Sequence, residues 1–596
     1  MSEKITSKLI AMPGRFLIWR VKHISTKSFV LILSVIVGVA SGLTALFLKT
    51  AVFKFRDYLI HGIEHEHKHL YLLVYPSIGI IITLILRKYI IRDFIKHNIS
   101  SILHAISKRN SIMRVHKVFS SMLGGVFTAG FGGSIGLESP IISSGAAIGS
   151  NLGRVLQLNY KQITLLLACG SAGAIAAIFN TPIAGIVFAL EVLMIDLTRF
   201  SLIPLLMSSV SGAITTKLFY EEEILFEFTI REAFVSNDIP FFIVLGILSG
   251  FVSVYFTKVF LFIEERFERF RNFRYRVLIG GSIMGLLIYI FPPLFGEGFE
   301  SIKVVFAGNY SQLMEGTFFE SFRFSAPVLI GFFVCLILLK VVATATTIGA
   351  GGVGGIFAPA LFTGSIMGFL FAYSLNLGGM HLSEMNYALV GMGSVLGGVL
   401  LAPLTGIFLI AEITTGYELI VPLMLSTTIS FVTVKFIEPN SIITMQLARK
   451  GELITHNKDK AVLSFMNLTE VIETDIKTIS VEANLGKLVK LISKSNRNIF
   501  AVVDKEDIFL GIILVDNVRE IMFNQELYEN TYVSNLMVSA PTYISFDNSM
   551  EEVIRKFNDS NAWNLPVLDN GKYIGMVSKS KLFSAYRKQL LNITEE

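Results

Sequence analysis

Charge is scarce in this chain. Of 596 residues, only 16% are Asp, Glu, Lys or Arg, against 53% that are apolar, 49 Phe among them. That balance excludes a single water-soluble domain. Cysteine is scarcer still. Cys169 and Cys335 are the two, and each sits in an apolar run. They provide no metal spacing and read as small core residues. The net charge of +6 is too small to suggest a nucleic-acid partner, and the basic residues gather in flanks rather than patches.

Apolar runs of membrane-spanning length recur instead. The plainest are Phe29–Val52, Leu70–Leu86, Ile163–Leu190, Pro240–Phe262, Val277–Phe291, Ala326–Val342, Tyr387–Ile410 and Val421–Phe436. Others are short or broken by Gly and Pro, such as Val118–Gly130 and Phe357–Leu375. Broken spans are tolerated only where the freed backbone faces protein or a wet cavity, which argues for a pathway rather than an anchor. Lys4, Lys8, Arg15, Arg20, Lys22 and Lys27 precede the first span, so that end is expected in the cytoplasm. Cleavage as a signal peptide is not expected, because the apolar stretch is too long and lies too far in.

Two glycine-rich segments share one pattern. Gly132-Gly133-Ser134-Ile135-Gly136-Leu137-Glu138-Ser139-Pro140 is the first, and Gly349-Ala350-Gly351-Gly352-Val353-Gly354-Gly355-Ile356-Phe357-Ala358-Pro359 the second. Both end in Gly-x-x-x-Pro and run into helix-forming sequence. Such helix starts offer unpaired N–H groups and a positive dipole end, which attract anions. One in each half of a membrane chain suggests a midplane anion site. Glu138, a carboxylate in such a path, is an expensive residue that needs a reason.

The composition changes near residue 450. Ile499–Val503 and Phe509–Leu514 read as a hairpin, and residues 566–578 as a second one with an Asn570-Gly571 turn. Between them, Leu485, Leu488, Leu491 and Ile492 have helical spacing. The tail therefore reads as two copies of a small α/β unit.

The tail resembles a pair of cystathionine-β-synthase (CBS) domains. Copy two is the clearer, with Leu536-Met537, Ala540-Pro541, Ile544, Leu565 to Asp569 and Gly575-Met576-Val577-Ser578. Such pairs often bind adenine nucleotides through an acid three residues after a Ser or Thr. Here that slot is Lys581, while Leu514 and Asn517 break the pattern in copy one. The expectation is therefore no cofactor and a dimer-stabilising, coupling module, with an adenine nucleotide as the alternative.

The membrane part resembles the CLC family of chloride channels and proton-coupled chloride exchangers. Gly355-Ile356-Phe357-Ala358-Pro359 matches the family's Gly-x-Phe-x-Pro element in full. Gly136-Leu137-Glu138-Ser139-Pro140 matches Gly-Arg/Lys-Glu-Gly-Pro in part. Phe179-Asn180, Pro182, Ala184-Gly185 and Glu191 match the helix that follows, and Leu447-Ala448-Arg449 closes the pore domain. The resemblance implies an inverted repeat of tilted and broken helices, a polytopic α-helical membrane protein, and a homodimer with one pore per subunit. The expected layout is a cytoplasmic segment 1–27, a membrane domain 28–450, a linker 451–467, and CBS units 468–525 and 526–590. The protein is expected in the inner or plasma membrane with both termini cytoplasmic.

The resemblance also assigns residues. Glu138 becomes the gate, a carboxylate that competes with anions and swings away when protonated; otherwise it is only a helix-capping acid. Gly136, Gly355, Ile356 and Phe357 supply backbone to the anion. Leu137 replaces the family's cation and Ser139 its Gly. Counting back from Gly136, the family's Ser-bearing segment falls on Lys96-His97-Asn98-Ile99-Ser100, with His97 in the Ser slot and Asn98 beside it. Both are anion donors unless the segment is a solvated loop. The family's second donor, a Tyr, is Ile443 here, so the site loses a partner. Exchangers commonly carry a Glu where this chain has Val192, after Glu191, and Glu191 matches a structural acid.

Outside that logic, His61, His65 and His69 fall at i, i+4 and i+8, interleaved with Glu64, Glu66 and His67. On a helix they would line one face for zinc or copper, or they simply end a membrane helix. The leading expectation is a non-enzymatic, passive channel or uncoupled transporter for chloride or another small anion, gated by Glu138. A proton-coupled exchanger of the same fold is the alternative, and a membrane sensor with a dead pore a remote one. A magnesium transporter is excluded, because the membrane part has no midplane acid clusters.

Overall fold

A computed structural model describes residues 19–20, 22–61, 68–91, 99–195, 198–219, 234–270, 272–414, 417–448, 463 and 466–594. The chain divides into two compact units, Met1–Leu453 and Ile454–Glu596.

The first unit is helical, and nine of its helices among the described residues are long and apolar enough to cross a membrane. Its first half comprises α1 (Thr26–His61), α2 (Lys68–Ile85), α3 (Ile99–Lys108), α4 (Lys117–Gly130), α5 (Glu138–Val155), α6 (Tyr160–Phe179), α7 (Pro182–Glu191) and α8 (Arg199–Phe219). Its second half comprises α9 (Ile239–Arg269), α10 (Phe273–Ile290), α11 (Phe299–Phe306), α12 (Ala326–Ala350), α13 (Phe357–Leu377), α14 (Glu384–Leu400), α15 (Pro403–Ile413) and α16 (Ile420–Ile437). The short α17 (Ile442–Ala448) closes the unit.

Two apolar runs that look continuous in sequence are broken helices. Residues 163–190 split into α6 and α7 where Asn180 takes a left-handed conformation, φ 57°, and Pro182 opens the next helix. Residues 387–410 split into α14 and α15 in the same way, at Leu401 with φ 53° and at Pro403. A left-handed residue ends each helix, and a Pro two residues later starts its successor.

The halves also pack alike. In α5, Gly145 and Gly149 let α6 approach so closely that a Cβ would lie 2.3 Å from the Gly170 carbonyl oxygen and 1.9 Å from that of Leu166. In α13, Gly364 and Gly368 do the same for α14, with a Cβ 2.3 Å from the Gly391 oxygen and 2.0 Å from that of Tyr387. Lipid offers helices no hydrophobic drive to associate, so small residues that bring backbones together supply packing instead.

The second unit contains two three-stranded sheets of identical topology. In the first, β1 (Thr478–Ser480) runs parallel to β2 (Ile499–Val503), which pairs antiparallel with β3 (Phe509–Leu514). In the second, β4 (Ile544–Ser545), β5 (Asn564–Asp569) and β6 (Lys572–Ser578) repeat this order. Asn570 and Gly571 turn the second hairpin with φ 49° and 85°, as an Asn-Gly turn requires. Leu485 and Leu488 are buried in the first copy, on the helix Leu485–Ile492. The copies are cross-linked by backbone. Glu473, ahead of β1, bridges to Met576 of β6, and Val538, ahead of β4, bridges to Ile512 of β3.

Candidate functional site

The two glycine-rich segments meet. The Gly136 N–H donates to the Gly355 carbonyl at 2.9 Å, and the Gly355 N–H returns the bond to Gly136 at 2.8 Å. This two-residue bridge places the first turns of α5 and α13 side by side. Each segment is reached by an equivalent turn: Gly133 donates to the Thr128 carbonyl at 2.8 Å, and Gly352 to the Thr347 carbonyl at 2.9 Å.

Glu138 is the first residue of α5 and is completely buried, at 0% exposure. Its carboxylate folds back over Gly136, where a Cβ would lie 2.0 Å from Oε2 and 3.1 Å from the Ala358 nitrogen. The side chain therefore uses the space that glycine leaves open. The backbone N–H groups of Glu138 and of Ala358 lie against the carboxylate, yet neither oxygen completes a hydrogen bond. The carboxyl group thus lies at two helix starts, whose N–H groups and dipoles attract negative charge, and is left without a hydrogen-bond partner. Ile356 precedes α13, and Phe357, its first residue, is 1% exposed and stacks on Phe179 at 5.5 Å. Ser139 packs against Gly355.

Leu137, beside Glu138, carries no cation, but basic side chains come in from elsewhere in the fold. Glu297, in the turn before α11, accepts a hydrogen bond from the Leu137 N–H at 3.0 Å. Lys49 and Arg56 of α1 and Lys340 of α12 surround it electrostatically. Lys340 is fully buried. Its ammonium donates to the Gly296 carbonyl at 3.0 Å and lies 4.7 Å from the Phe362 ring centroid. Arg56 also reaches Glu300 at 3.5 Å.

Away from these helix starts, Ile443 is buried on α17. The Ser100 hydroxyl donates to the Ile443 carbonyl at 3.3 Å and to Gln446 Oε1 at 2.6 Å, and Gln446 Nε2 donates to Glu264 at 2.8 Å. A polar chain thus joins α3, α17 and the buried Glu264 of α9. His97, Asn98 and Lys96 lie outside the described residues.

Glu191 is engaged structurally. Its carboxylate accepts the N–H groups of Leu404 and Thr405 at the start of α15, at 3.0 and 2.8 Å. Glu412, the mirror residue at the end of α15, accepts those of Ile183 and Ala184 at the start of α7, at 3.0 and 2.8 Å. Each short helix caps the other. Val192 is buried just after α7. His61 ends α1 and His69 lies in the first turn of α2, while His65 falls outside the described residues. Among the described residues no group of three or more His, Cys, Asp or Glu could hold a metal ion.

In the tail, a cleft of about 670 Å³ is lined by Glu473, Thr474, Asp475, Arg497, Ser578 and Lys581, among others. Protein groups pair with one another inside it. The Ser578 hydroxyl donates to Glu473 at 2.7 Å, and Arg497 reaches Glu473 at 2.5 Å and Asp475 at 3.2 Å. Arg497 holds the exposed Asp475 carboxyl below its ordinary range.

Sequence reasoning singled out Glu138, Gly136, Gly355, Ile356 and Phe357, and the fold brings these five together. It missed Glu297, Lys340, Glu264, Gln446 and Glu412. For Glu297 one signal was available: an acid between two glycines, just after the apolar run that ends at Phe291.

Comparison with known proteins gives a consistent result. A family model described as voltage gated chloride channel matches residues 78–435, and a CBS domain model matches 468–524 and 533–588. The chain is 28% identical over 457 residues to the H(+)/Cl(-) exchange transporter ClcA of Salmonella arizonae, covering 73% of this chain and 92% of that protein. It is 28% identical over 387 residues to a putative chloride channel protein ClcB-like of Ralstonia nicotianae, covering 64% and 86%. Among solved structures, a slow cyanobacterial Cl-/H+ antiporter aligns with TM-score 0.61 at 22% identity, over 71% of this chain and 97% of that one. A eukaryotic CLC transporter aligns with TM-score 0.58 at 16% identity, over 93% and 97%.

Proposed function

We propose, for a chain that belongs to the voltage gated chloride channel family and is an integral membrane anion transporter with a CBS pair, that Glu138 is the gate and that anions are exchanged for protons. The observation that carries this reading is the sealed state of Glu138. Its carboxylate lies against two helix starts, which attract anions, with no exposure and no completed hydrogen bond. An anion passes only when that carboxylate leaves. Leaving becomes cheap once a proton removes the charge that the helix ends attract. Each passage is then tied to a proton. The relatives named H(+)/Cl(-) exchange transporters support the same reading, with chloride as the anion.

A second reading, passive conduction, is favoured by Val192. It is buried and cannot carry a proton where exchangers commonly have an acid. Against it, Glu264 supplies a buried carboxylate to the polar chain through Gln446 and Ser100, a proton carrier other than the one lost at Val192. Purified protein in liposomes decides between the two. Under exchange, an imposed chloride gradient drives protons uphill at a fixed ratio. Chloride flux with internal pH unchanged would overturn exchange in favour of the passive reading.

We further assign the basic N-terminal flank and the tail to the cytoplasm, in the plasma or inner membrane, and the working assembly to a homodimer. Glu473, Arg497 and Ser578 occupy one another in the tail cleft, and Lys581 stands in the ribose-acid slot. That arrangement supports a coupling module without bound adenine nucleotide. Calorimetry on the full-length protein is expected to detect no AMP, ADP or ATP binding, and micromolar ATP affinity would contradict this.

A further inference from the structure

A proton has to reach Glu138, and Glu138 is sealed. Its side chain is 0% exposed, so bulk water does not touch the carboxylate. Another carboxylate, Glu297, acts on it electrostatically. Glu297 is bonded to the residue next to the gate through the Leu137 N–H at 3.0 Å, and it is only partly buried. It therefore spans the interval between a closed gate and solvent.

We propose that Glu297 is a second proton-carrying carboxylate, which passes protons between the outer solution and Glu138. The step moves one proton from the Glu297 carboxyl to the Glu138 carboxylate, leaving Glu297 ionised to be reprotonated from solvent. No bond other than O–H is made or broken.

The groups facing Glu297 fit this task. Lys49 and Arg56 approach from α1 and Lys340 from α12. They favour its ionised form after the transfer, while the neighbouring Glu138 charge opposes it. Two carboxylates that interact share protons in preference to both ionising. Lys340 also fixes the turn that carries Glu297, through the Gly296 carbonyl at 3.0 Å, and the Gly296 N–H donates to the Gly132 carbonyl at 3.1 Å. The donor is thus mounted on the glycine segment that carries the gate. Arg56 continues outward to Glu300, a largely exposed residue. Arg56 lies near the C-terminal end of α1, and the N-terminal flank of that helix is basic. On the cytoplasmic assignment of that flank, Glu297 sits on the outer side.

The inference rests on Glu138 being the gate, and the test separates the two claims. Anion and proton flux from liposomes is measured against external pH for wild type, Glu297→Gln, Glu138→Gln and the double variant. The amide of Glu297→Gln keeps an acceptor for the Leu137 N–H but carries no proton. Proton-limited flux is expected to fall about tenfold, less than for a typical positioned acid because water still delivers protons slowly. In the Glu138→Gln background, adding Glu297→Gln should change nothing. Wild-type flux and pH profile in Glu297→Gln would overturn the inference alone. A wild-type pH profile in Glu138→Gln would overturn the gate itself. A fall of the same size in both backgrounds would assign Glu297 a structural role and overturn the inference. If Glu297→Gln does not fold, the pair Glu297→Asp and Glu297→Asn decides: Asp keeps a proton-carrying carboxyl and should retain more proton-limited flux than Asn, and equal flux in the two overturns the inference.

Discussion

The two halves of the membrane unit build the same backbone and put different side chains on it. α5 and α13 start from glycine segments joined by the mutual bond between Gly136 and Gly355. Pro140 and Pro359, Gly145 and Gly364, and Gly149 and Gly368 follow at one constant offset. At the first helical position, however, the first half has Glu138 and the second has Phe357. The backbone gives both starts the power to attract an anion. On the proposed function, Glu138 is a movable anion of the protein's own and Phe357 a fixed apolar wall, so that the repeat keeps what binds and varies what moves.

The glycines before each start sharpen this contrast most. At Gly136 a Cβ would meet the Glu138 carboxylate, the far end of a flexible side chain, at 2.0 Å. At Gly355 it would meet the Cβ of Ser139, fixed to the helix backbone, at 2.7 Å. Gly136→Ala is therefore expected to fold, to displace the gate, and to make flux insensitive to external acid. Gly355→Ala is expected to lose about 1–3 kcal/mol of stability by overpacking, with the gate still titrating. Flux profiles and thermal melting in detergent check both. A Gly136→Ala protein with a wild-type pH profile would break the comparison.

The reciprocal caps test whether the halves are also energetically alike. Removing Glu412 leaves the Ile183 and Ala184 N–H groups without their acceptor, and removing Glu191 does the same to Leu404 and Thr405. Glu412→Ala and Glu191→Ala should each cost about 1 kcal/mol, the usual worth of a helix cap. The loss should be somewhat larger for Glu191, which also accepts the Thr405 hydroxyl at 2.8 Å. Melting curves showing a loss for only one of the two would mean that the symmetry stops at geometry.

Much of this was legible in the sequence because it is local. Gly-x-x-x-Pro names a helix start, Asn570-Gly571 names a hairpin, and apolar runs name spans. The rest depends on residues that meet only after folding. Glu297 and Leu137 are separated by 160 residues, and Ile183 and Glu412 by 229. No spacing rule reaches that far. The break at Leu401 was hidden for a different reason. Residues on both sides are apolar, and Leu401 takes a left-handed conformation that its side chain does not advertise. The resemblance pointed to a structural Glu191, but nothing in the sequence named the helix that it caps.

The central claim is that the Glu138 carboxylate occupies an anion's place between α5 and α13. Anomalous diffraction from crystals grown in bromide tests it most directly, with wild-type and Glu138→Gln protein compared under the same conditions. The account predicts bromide between the first turns of α5 and α13, beside Ala358, in the Glu138→Gln variant, and no bromide at that point in wild type. A Glu138→Gln protein whose amide side chain still rests over Gly136, with no bromide beside it, would contradict the claim and reduce Glu138 to a helix cap.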